Sequence, residues 1–411
     1  MKKILVSTAL LAGVLSYAGG FRVSLQGVRQ LAMAHTSAHA EDASVAFFNP
    51  AGMSFIPSKF SIAVGGFAAG NKVTFQNTNT LQSTETDNPI GTPLYAAIAY
   101  RPVDKLSIGF SFTTPFGSTI KYPSDWEGKE MVQKLELKSF YFQPMISYKF
   151  NEWFAFGASY IYAKGEVKWD KAITQFGGEL NLDSKASGHG YGFGFYFRPD
   201  PKLDVSIAYR SPVDMKAKDG KATFSFPKAS IYPLLGLDTS GQDSFTATLP
   251  LVEEYTVGLT YKVTPKWLVS ADFNYHGWER YSQLTLDFGQ APVGNSPTDP
   301  TKSISPKNFR NSKTFRLGTQ YAFTDMIYGR LGAYYDESPY TDENFIPETP
   351  SYNTYVITGG VGFKLKQFGV DLAGGYAMPQ ARDVKNANLG FYGQSTATAF
   401  YVGLGLSYNP F

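Results

Sequence analysis

The chain has 411 residues, a net charge of +3 and no cysteine. So slight a charge gives no basis for a nucleic-acid or acidic partner. Without cysteine, neither a disulfide framework nor a lipidated N-terminal cysteine is available. Aromatic residues reach 16% and glycine 40 residues, yet no window approaches the long apolar run of a membrane-spanning helix.

In chain order, the first element is a processing signal. Lys2-Lys3 supply a positive start, Ile4 to Leu15 a short apolar run, and Ser16-Tyr17-Ala18 a small-x-small cleavage site before Gly19. The run is too short to cross a bilayer as a helix. Residues 1–18 are therefore assigned to a signal peptide and the mature chain to a compartment outside the cytoplasm. Next comes a segment of different texture, rich in Ala, Ser and His and without sustained alternation, closing on Phe47-Phe48-Asn49-Pro50-Ala51-Gly52. It reads as short helices and turns, too small to own a core. Residues 19–57 must pack inside something else, and are assigned to a plug, or hatch.

From Lys59 onward alternation takes over, with strands expected near 59–70, 92–101, 105–115, 138–150, 153–166, 187–198, 203–212, 245–262, 266–279, 312–323, 327–337, 353–365, 367–378 and 395–408. In the ninth, Trp267, Val269, Ala271, Phe273 and Tyr275 share one face, and Ser270, Asp272, Asn274 and His276 the other. One apolar and one polar face, repeated around a closed ring, make a barrel with a lipid-facing wall and a polar lumen. About fourteen strands is an even number, as a single-chain bacterial barrel requires. Short connections such as Arg101-Pro102-Val103-Asp104 alternate with long polar ones near 71–91, 116–137, 213–244 and 280–311, the pattern of periplasmic turns and external loops. The fold class is thus all-β: a transmembrane antiparallel barrel over 58–411, plugged by the N-terminal hatch, in the outer membrane of a Gram-negative cell and in contact with its lipid. The chain ends in Phe411, the residue with which such barrels commonly engage the barrel assembly machinery.

Two stretches carry a resemblance. Gly19-Gly20-Phe21-Arg22-Val23, with Ala40-Glu41-Asp42-Ala43-Ser44 and Asn49-Pro50-Ala51-Gly52, is similar to the mature N-terminus and hatch motif of the long-chain fatty-acid outer-membrane transporters (FadL type), a family that includes aromatic-hydrocarbon transporters. Thr113-Thr114-Pro115-Phe116-Gly117, then Lys121-Tyr122-Pro123-Ser124-Asp125-Trp126-Glu127-Gly128, Gln143-Pro144 and Tyr148, resembles the region between that family's third and fourth strands; Lys129 stands where an Arg is expected. The resemblance implies passive movement of long-chain fatty acids or related hydrophobic molecules, caught by apolar grooves among the loops, held in the barrel, and released through the wall near a kinked third strand.

The residues themselves carry part of this. Pro115 lacks an N–H and cannot complete a ladder, and Gly117 follows it, so Pro115, Phe116 and Gly117 mark a candidate lateral opening; a plain turn at a strand end is the alternative. The long connections hold apolar clusters, Phe224-Ser225-Phe226-Pro227, Phe345-Ile346-Pro347 and a run containing Leu234, Leu235 and Leu237, which are either a capture surface or loops packed on one another. Arg210, Arg316 and Arg330 fall on inward parity, and Arg22 sits beside Phe21 in the hatch. Any of them orients a carboxylate or else pairs with inward acids such as Asp204, Glu254, Asp272 and Asp336. The candidate ligand-binding set is Phe21, Arg22, Phe47, Phe48, Leu234, Leu235, Leu237, Arg316 and Arg330.

Other chemistry finds no pattern. His35 and His39 are four apart without a metalloprotease Glu between them, so neither metal nor cofactor is expected. Gly188-His189-Gly190-Tyr191-Gly192-Phe193-Gly194 precedes no helix and reads as a strand with small lumen-facing residues, not a phosphate loop. No serine elbow occurs, and no catalytic residue is assigned. The alternatives are a porin for small hydrophilic solutes, which the hatch would obstruct, and a barrel-type lipid hydrolase, which would need an outward Ser-His pair where His276 points inward.

Overall fold

A computed structural model describes residues 19–410; the signal assignment over 1–18 and the terminal Phe411 lie outside the described residues. One antiparallel sheet closes on itself as a barrel of fourteen walls. These are β1 (Phe60–Asn77), β2 (Leu94–Val103), β3 (Leu106–Thr113, resuming at Gly117–Lys121), β4 (Lys134–Asn151), β5 (Phe154–Ile173), β6 (Gly178–Asp200) and β7 (Leu203–Arg210, resuming at Val213–Ser225). They continue as β8 (Gln242–Leu251, resuming at Glu254–Thr264), β9 (Trp267–His276, with Gln283–Phe288 beyond), β10 (Lys302–Pro306, then Ser312–Ala322), β11 (Ile327–Asp336), β12 (Thr354–Leu365), β13 (Phe368–Pro379) and β14 (Phe391–Tyr408). Closure comes from β1 on β14, in register from Ile62↔Tyr408 to Asn77↔Gly393.

Side-chain parity sets the two environments. Along β9 the even positions from Leu268 to His276 are buried, while Trp267 and Phe273 are exposed. Around the ring Ile98, Ile108, Ile146, Leu259, Leu317, Leu331, Ile357, Leu372, Val402 and Leu404 are likewise exposed. An apolar surface of that extent is unfavourable in water and matches a hydrocarbon core. No helix among the described residues is long and apolar enough to cross a membrane, and the crossing is made by strands.

The long connections differ from the expectation of loops. Residues 71–77, 117–121, 134–137, 213–225, 242–244, 283–288 and 302–306 are strand. Their polar character comes from standing above the bilayer, where one face meets water and the other a loop core that includes Leu180, Leu182, Phe224, Phe245 and Phe288.

The hatch fills the lumen with two short helices, α1 (Val28–Ala32) and α2 (Val45–Phe48), and a 3-10 turn, Pro50–Phe55. Asn49 seats that turn. Its Oδ1 accepts from the Ala51 amide at 2.9 Å, while Nδ2 donates to the Phe195 carbonyl and to Ser206 Oγ, both at 2.9 Å. The approach is possible because Gly157 and Gly194 face it. A Cβ at Gly157 would run into the Pro50-Ala51 backbone, and one at Gly194 into the Asn49 amide. The Gly188–Gly194 run therefore turns glycines to the lumen and His189, Tyr191 and Phe193 outward.

Candidate functional site: an apolar cavity floored by the hatch

Between Thr113↔Tyr141 and Gly117↔Lys138, the residues Thr114, Pro115 and Phe116 of β3 oppose only Ser139 and Phe140 of β4. This bulge turns the chain inward, and pairing with β2 has already ended at Ala96↔Phe112. The hatch supplies the missing partner. The Val23 amide donates to the Pro115 carbonyl at 2.7 Å, the Gly117 amide donates to the Phe21 carbonyl at 2.9 Å, and Arg22 faces Phe116 across this bridge. On the other side Ser139 patches the ladder: its amide and Oγ both donate to the Phe116 carbonyl, and Oγ accepts from the Phe116 amide at 3.0 Å.

Above this junction lies an apolar cavity, walled chiefly by Leu135, Leu137, Met215, Leu251, Leu284 and Ile346 and floored by Phe21 and Phe116. Phe21 is wedged edge-on against Trp278, with centroids 4.9 Å apart, and lies 6.1 Å from Phe116. Gly20 makes room for the indole: its φ is +72°, and a Cβ there would stand 2.6 Å from Trp278. Among the cavity's lining residues, Lys138, Glu166, Lys307 and Glu348 are charged; the first two lie on the outward parity of their strands, whereas Lys307 is 2% exposed and its Nζ lies 3.2 Å from Glu348 Oε1. Lys171 is near enough to interact electrostatically with both. Neither lysine carries a sequence signal, because Lys307 follows a strand that reads as polar loop and its partner is remote in the chain.

Below the floor is a second, smaller and polar cavity, lined among others by Arg22, His35, Pro115, Phe116, Glu254 and Arg316. Arg22 pairs with Glu254 at 3.3 Å and Asp336 at 3.5 Å, and Arg210 reaches Glu254 at 3.6 Å. His35 accepts a hydrogen bond at Nε2 from the Gln26 amide, at 3.0 Å. Burial, reinforced by Arg316 and Arg22, holds its pKa well below the usual imidazole value, so the ring is neutral.

The structure brings Phe21, Arg22, Pro115, Phe116 and Gly117 together at one junction. Phe47 lies elsewhere, over the Arg210 guanidinium at 4.1 Å, and Phe48 packs on His35 at 4.8 Å; both line the polar cavity, not the apolar one. Arg330 is held by Asp371 and by Gln320, each at 2.6 Å, on the periplasmic side of the hatch. Arg316 contacts no carboxylate among the described residues; it donates to Asn274, the Ala34 carbonyl and Ser24, and covers the Tyr334 ring at 4.7 Å. Leu235 and Leu237 are buried within the loop core, where burial of a leucine gains about 2 kcal/mol, so only Leu234, 70% exposed, is free to meet an incoming molecule. None of the three lines the cavity. His39 lies beside Glu41, and no cluster of metal-ligating side chains occurs among the described residues.

A closed lipid-facing barrel, a hatch hydrogen-bonded to its wall and an apolar chamber above that hatch define a plugged barrel of the bacterial outer membrane. Residues 9–409 match the family described as outer membrane protein transport protein (OMPP1/FadL/TodX), and the chain belongs to that family. A 47 kDa outer membrane protein of Pasteurella multocida (strain Pm70) is 24% identical over 208 residues, 50% of this chain and 46% of that relative, so the match spans just under half of the relative's length. The fold is that of a FadL homologue from Pseudomonas aeruginosa, with a TM-score of 0.83 at 18% identity over 96% of this chain and 100% of that one. It is also that of the P. putida toluene transporter TodX, with a TM-score of 0.71 at 14% identity over 97% and 99%.

Proposed function

We propose that the protein carries long-chain fatty acids or related hydrophobic compounds across the outer membrane by passive diffusion. A molecule caught at the loops settles in the apolar cavity and leaves where β3 is broken. The observation that carries this reading is that Phe21 and Phe116 floor the cavity, while the backbones beside them tie the hatch to the broken strand. Parting that junction would open the chamber to the bulge without moving the rest of the barrel. A sixteen-carbon tail gains about 0.8 kcal/mol per buried methylene, roughly 12 kcal/mol gross before ordering costs, so an apolar wall suffices to hold it. Lys307 and Lys171, partly offset by Glu348, leave one positive charge for a carboxylate.

The chain has no cysteine, which permits a clean test. Arg22 and Phe116 face each other as a pair in an antiparallel bridge, a geometry a disulfide can span. A protein carrying Arg22→Cys with Phe116→Cys should stop taking up oleate when oxidised and recover when reduced. Equal uptake in both redox states would remove the junction from the route.

A second cargo reading, aromatic hydrocarbons, is favoured by the chiefly apolar lining of the cavity, which an uncharged ligand fills without needing a counter-charge. The family relationship and the likeness to TodX support it equally. Comparing oleate and toluene uptake by cells with and without the protein separates the two. Delivery to the membrane through Phe411 belongs to the same proposal, and deleting Phe411 should lower the amount of folded barrel.

A further inference from the structure

The outer face of β4 to β7 carries cations that the transport route does not use. On β5 and β6 the girdle at the external rim is made by Tyr160, Tyr162, His189 and Tyr191; Tyr160 Oη and His189 Nδ1 lie 2.5 Å apart, and the Tyr162 and His189 rings stack at 5.3 Å. Two residues further out, the same outward parity delivers Lys164 on β5, Ser187 on β6 and Lys216 on β7, which are direct cross-strand neighbours. One row higher, Lys138 and Lys185 flank Glu166, and beyond them stand Lys168, Lys218 and Lys221.

Strand spacing places Lys164 and Lys216 about 10 Å apart astride the Ser187 hydroxyl. Strand rise and tilt place them about 5 Å outside the aromatic girdle. That is the level of lipid headgroups. Lys164 also holds its ammonium over the Tyr162 ring, at 5.7 Å. Acids share these faces, namely Glu136, Glu166, Asp170, Glu179, Asp183, Asp214 and Asp219; Glu136 is taken up by Lys134 and Lys138, Asp214 by Arg280, and Asp183 stands in register between Lys168 and Lys221. Lys164, Lys168, Lys185, Lys216, Lys218 and Lys221 enter no ion pair among the described residues.

The concentration is local. Above Phe400 on β14 the outward positions are Thr398, Thr396 and Gln394, all neutral. On β1, Lys72 is taken by Glu85 at 2.7 Å. Water alone does not call for lysines outside any ion pair to gather on one arc directly above a ring of tyrosines, at the depth where anionic headgroups lie. A bound polyanion at headgroup depth does.

We propose that the outward face of β4–β7 binds the phosphorylated diglucosamine headgroup of lipopolysaccharide in the outer leaflet. Lys164, Lys185, Lys216 and Lys218 engage its phosphates, and its acyl chains lie along the aromatic wall beneath. The site adjoins the broken third strand and would order the lipid beside the bulge.

The test uses the whole protein in detergent, with bisphosphorylated lipid A and its dephosphorylated form as probes, read by native mass spectrometry. The intact protein should retain the phosphorylated lipid and release the dephosphorylated one, with retention falling as salt rises. Changing Lys164, Lys185, Lys216 and Lys218 together to Gln should weaken retention by about tenfold or more, and changing them to Arg should preserve it. Lys72→Gln, on β1 outside that arc, should leave it unchanged. Heat-modified gel mobility confirms that each variant is a folded barrel. Equal retention by the Gln variant, or equal retention of the two lipids, would overturn the proposal.

Discussion

The amide of Val23 in the hatch donates to the carbonyl of Pro115 in the barrel wall across 2.7 Å. A hydrogen bond that would ordinarily join two neighbouring strands instead joins a wall strand to the plug. Plug position and wall continuity are thereby the same variable, because the residue that opens the ladder cannot change its partner without releasing the hatch.

The Ser139 hydroxyl bonds both polar backbone groups of Phe116. Ser139→Ala should loosen the junction by about 1–2 kcal/mol and speed release of a preloaded fatty acid, without changing the amount of folded barrel. Stopped-flow release of a fluorescent fatty acid from purified protein checks this, and an unchanged rate would mean that the bulge is rigid without its serine.

Arg22 is tied to Glu254 and Asp336, and Asp336 is buried. Asp336→Asn removes one partner from an enclosed pair, a change that typically costs about 3–5 kcal/mol. The hatch N-terminus should detach more often, raising single-channel conductance in planar bilayers and sensitising cells to large antibiotics. Silent bilayers would show that Glu254 alone is enough.

Gly194 faces the Asn49 side chain at a separation no Cβ can occupy. Gly194→Val should unseat the Asn49-Pro50 turn at a cost of about 1–3 kcal/mol, lowering the thermal unfolding temperature. The same change at Gly390, whose added Cβ would meet nothing, is strained only by its positive φ and should leave hatch-dependent antibiotic exclusion intact. Scanning calorimetry together with exclusion assays distinguishes the two.

His35 is neutral in the hatch, held so first by burial and then by Arg316 and Arg22, with Glu254 opposing. Its folded pKa lies below the unfolded value of about 6.5, so no penalty exists above that pH; below it the unfolded state takes up a proton that the folded state refuses. Hatch stability should therefore decline as pH falls from 7 to 5, by at most about 1.4 kcal/mol per pH unit. His35→Gln should flatten that slope, as followed by conductance or by protease access to the hatch. An identical slope in the variant would assign the pH response to another group.

Replacing the Lys307–Glu348 pair together, as Lys307→Met with Glu348→Gln, avoids stranding a buried charge. Fatty-acid affinity should fall by about tenfold while toluene uptake persists. Loss of both would mean that the pair shapes the cavity and does not read a headgroup.

Much of this molecule is legible along the chain. Parity in segments such as 267–276 and 400–408 placed the apolar wall and the polar lumen, because a strand has only two faces and a two-residue period records which is which. The texture of 19–57 marked a segment without its own core, and Pro115 marked a ladder that could not be completed. Local chemistry determined these features, and local chemistry is written in neighbouring residues.

What only the tertiary structure decided are the pairings between remote residues. That Val23 meets Pro115, that Phe21 and Phe116 make a floor, that Lys307 finds Glu348, and that Arg330 belongs to Asp371 while Arg316 contacts no acid among the described residues all depend on how the hatch is threaded through the closed ring. Leu234 and Leu235 are neighbours of the same chemistry, yet one is solvated and the other buried. No pattern in the chain separates them, because burial in a loop core is set by the strands that surround it and not by the residue itself.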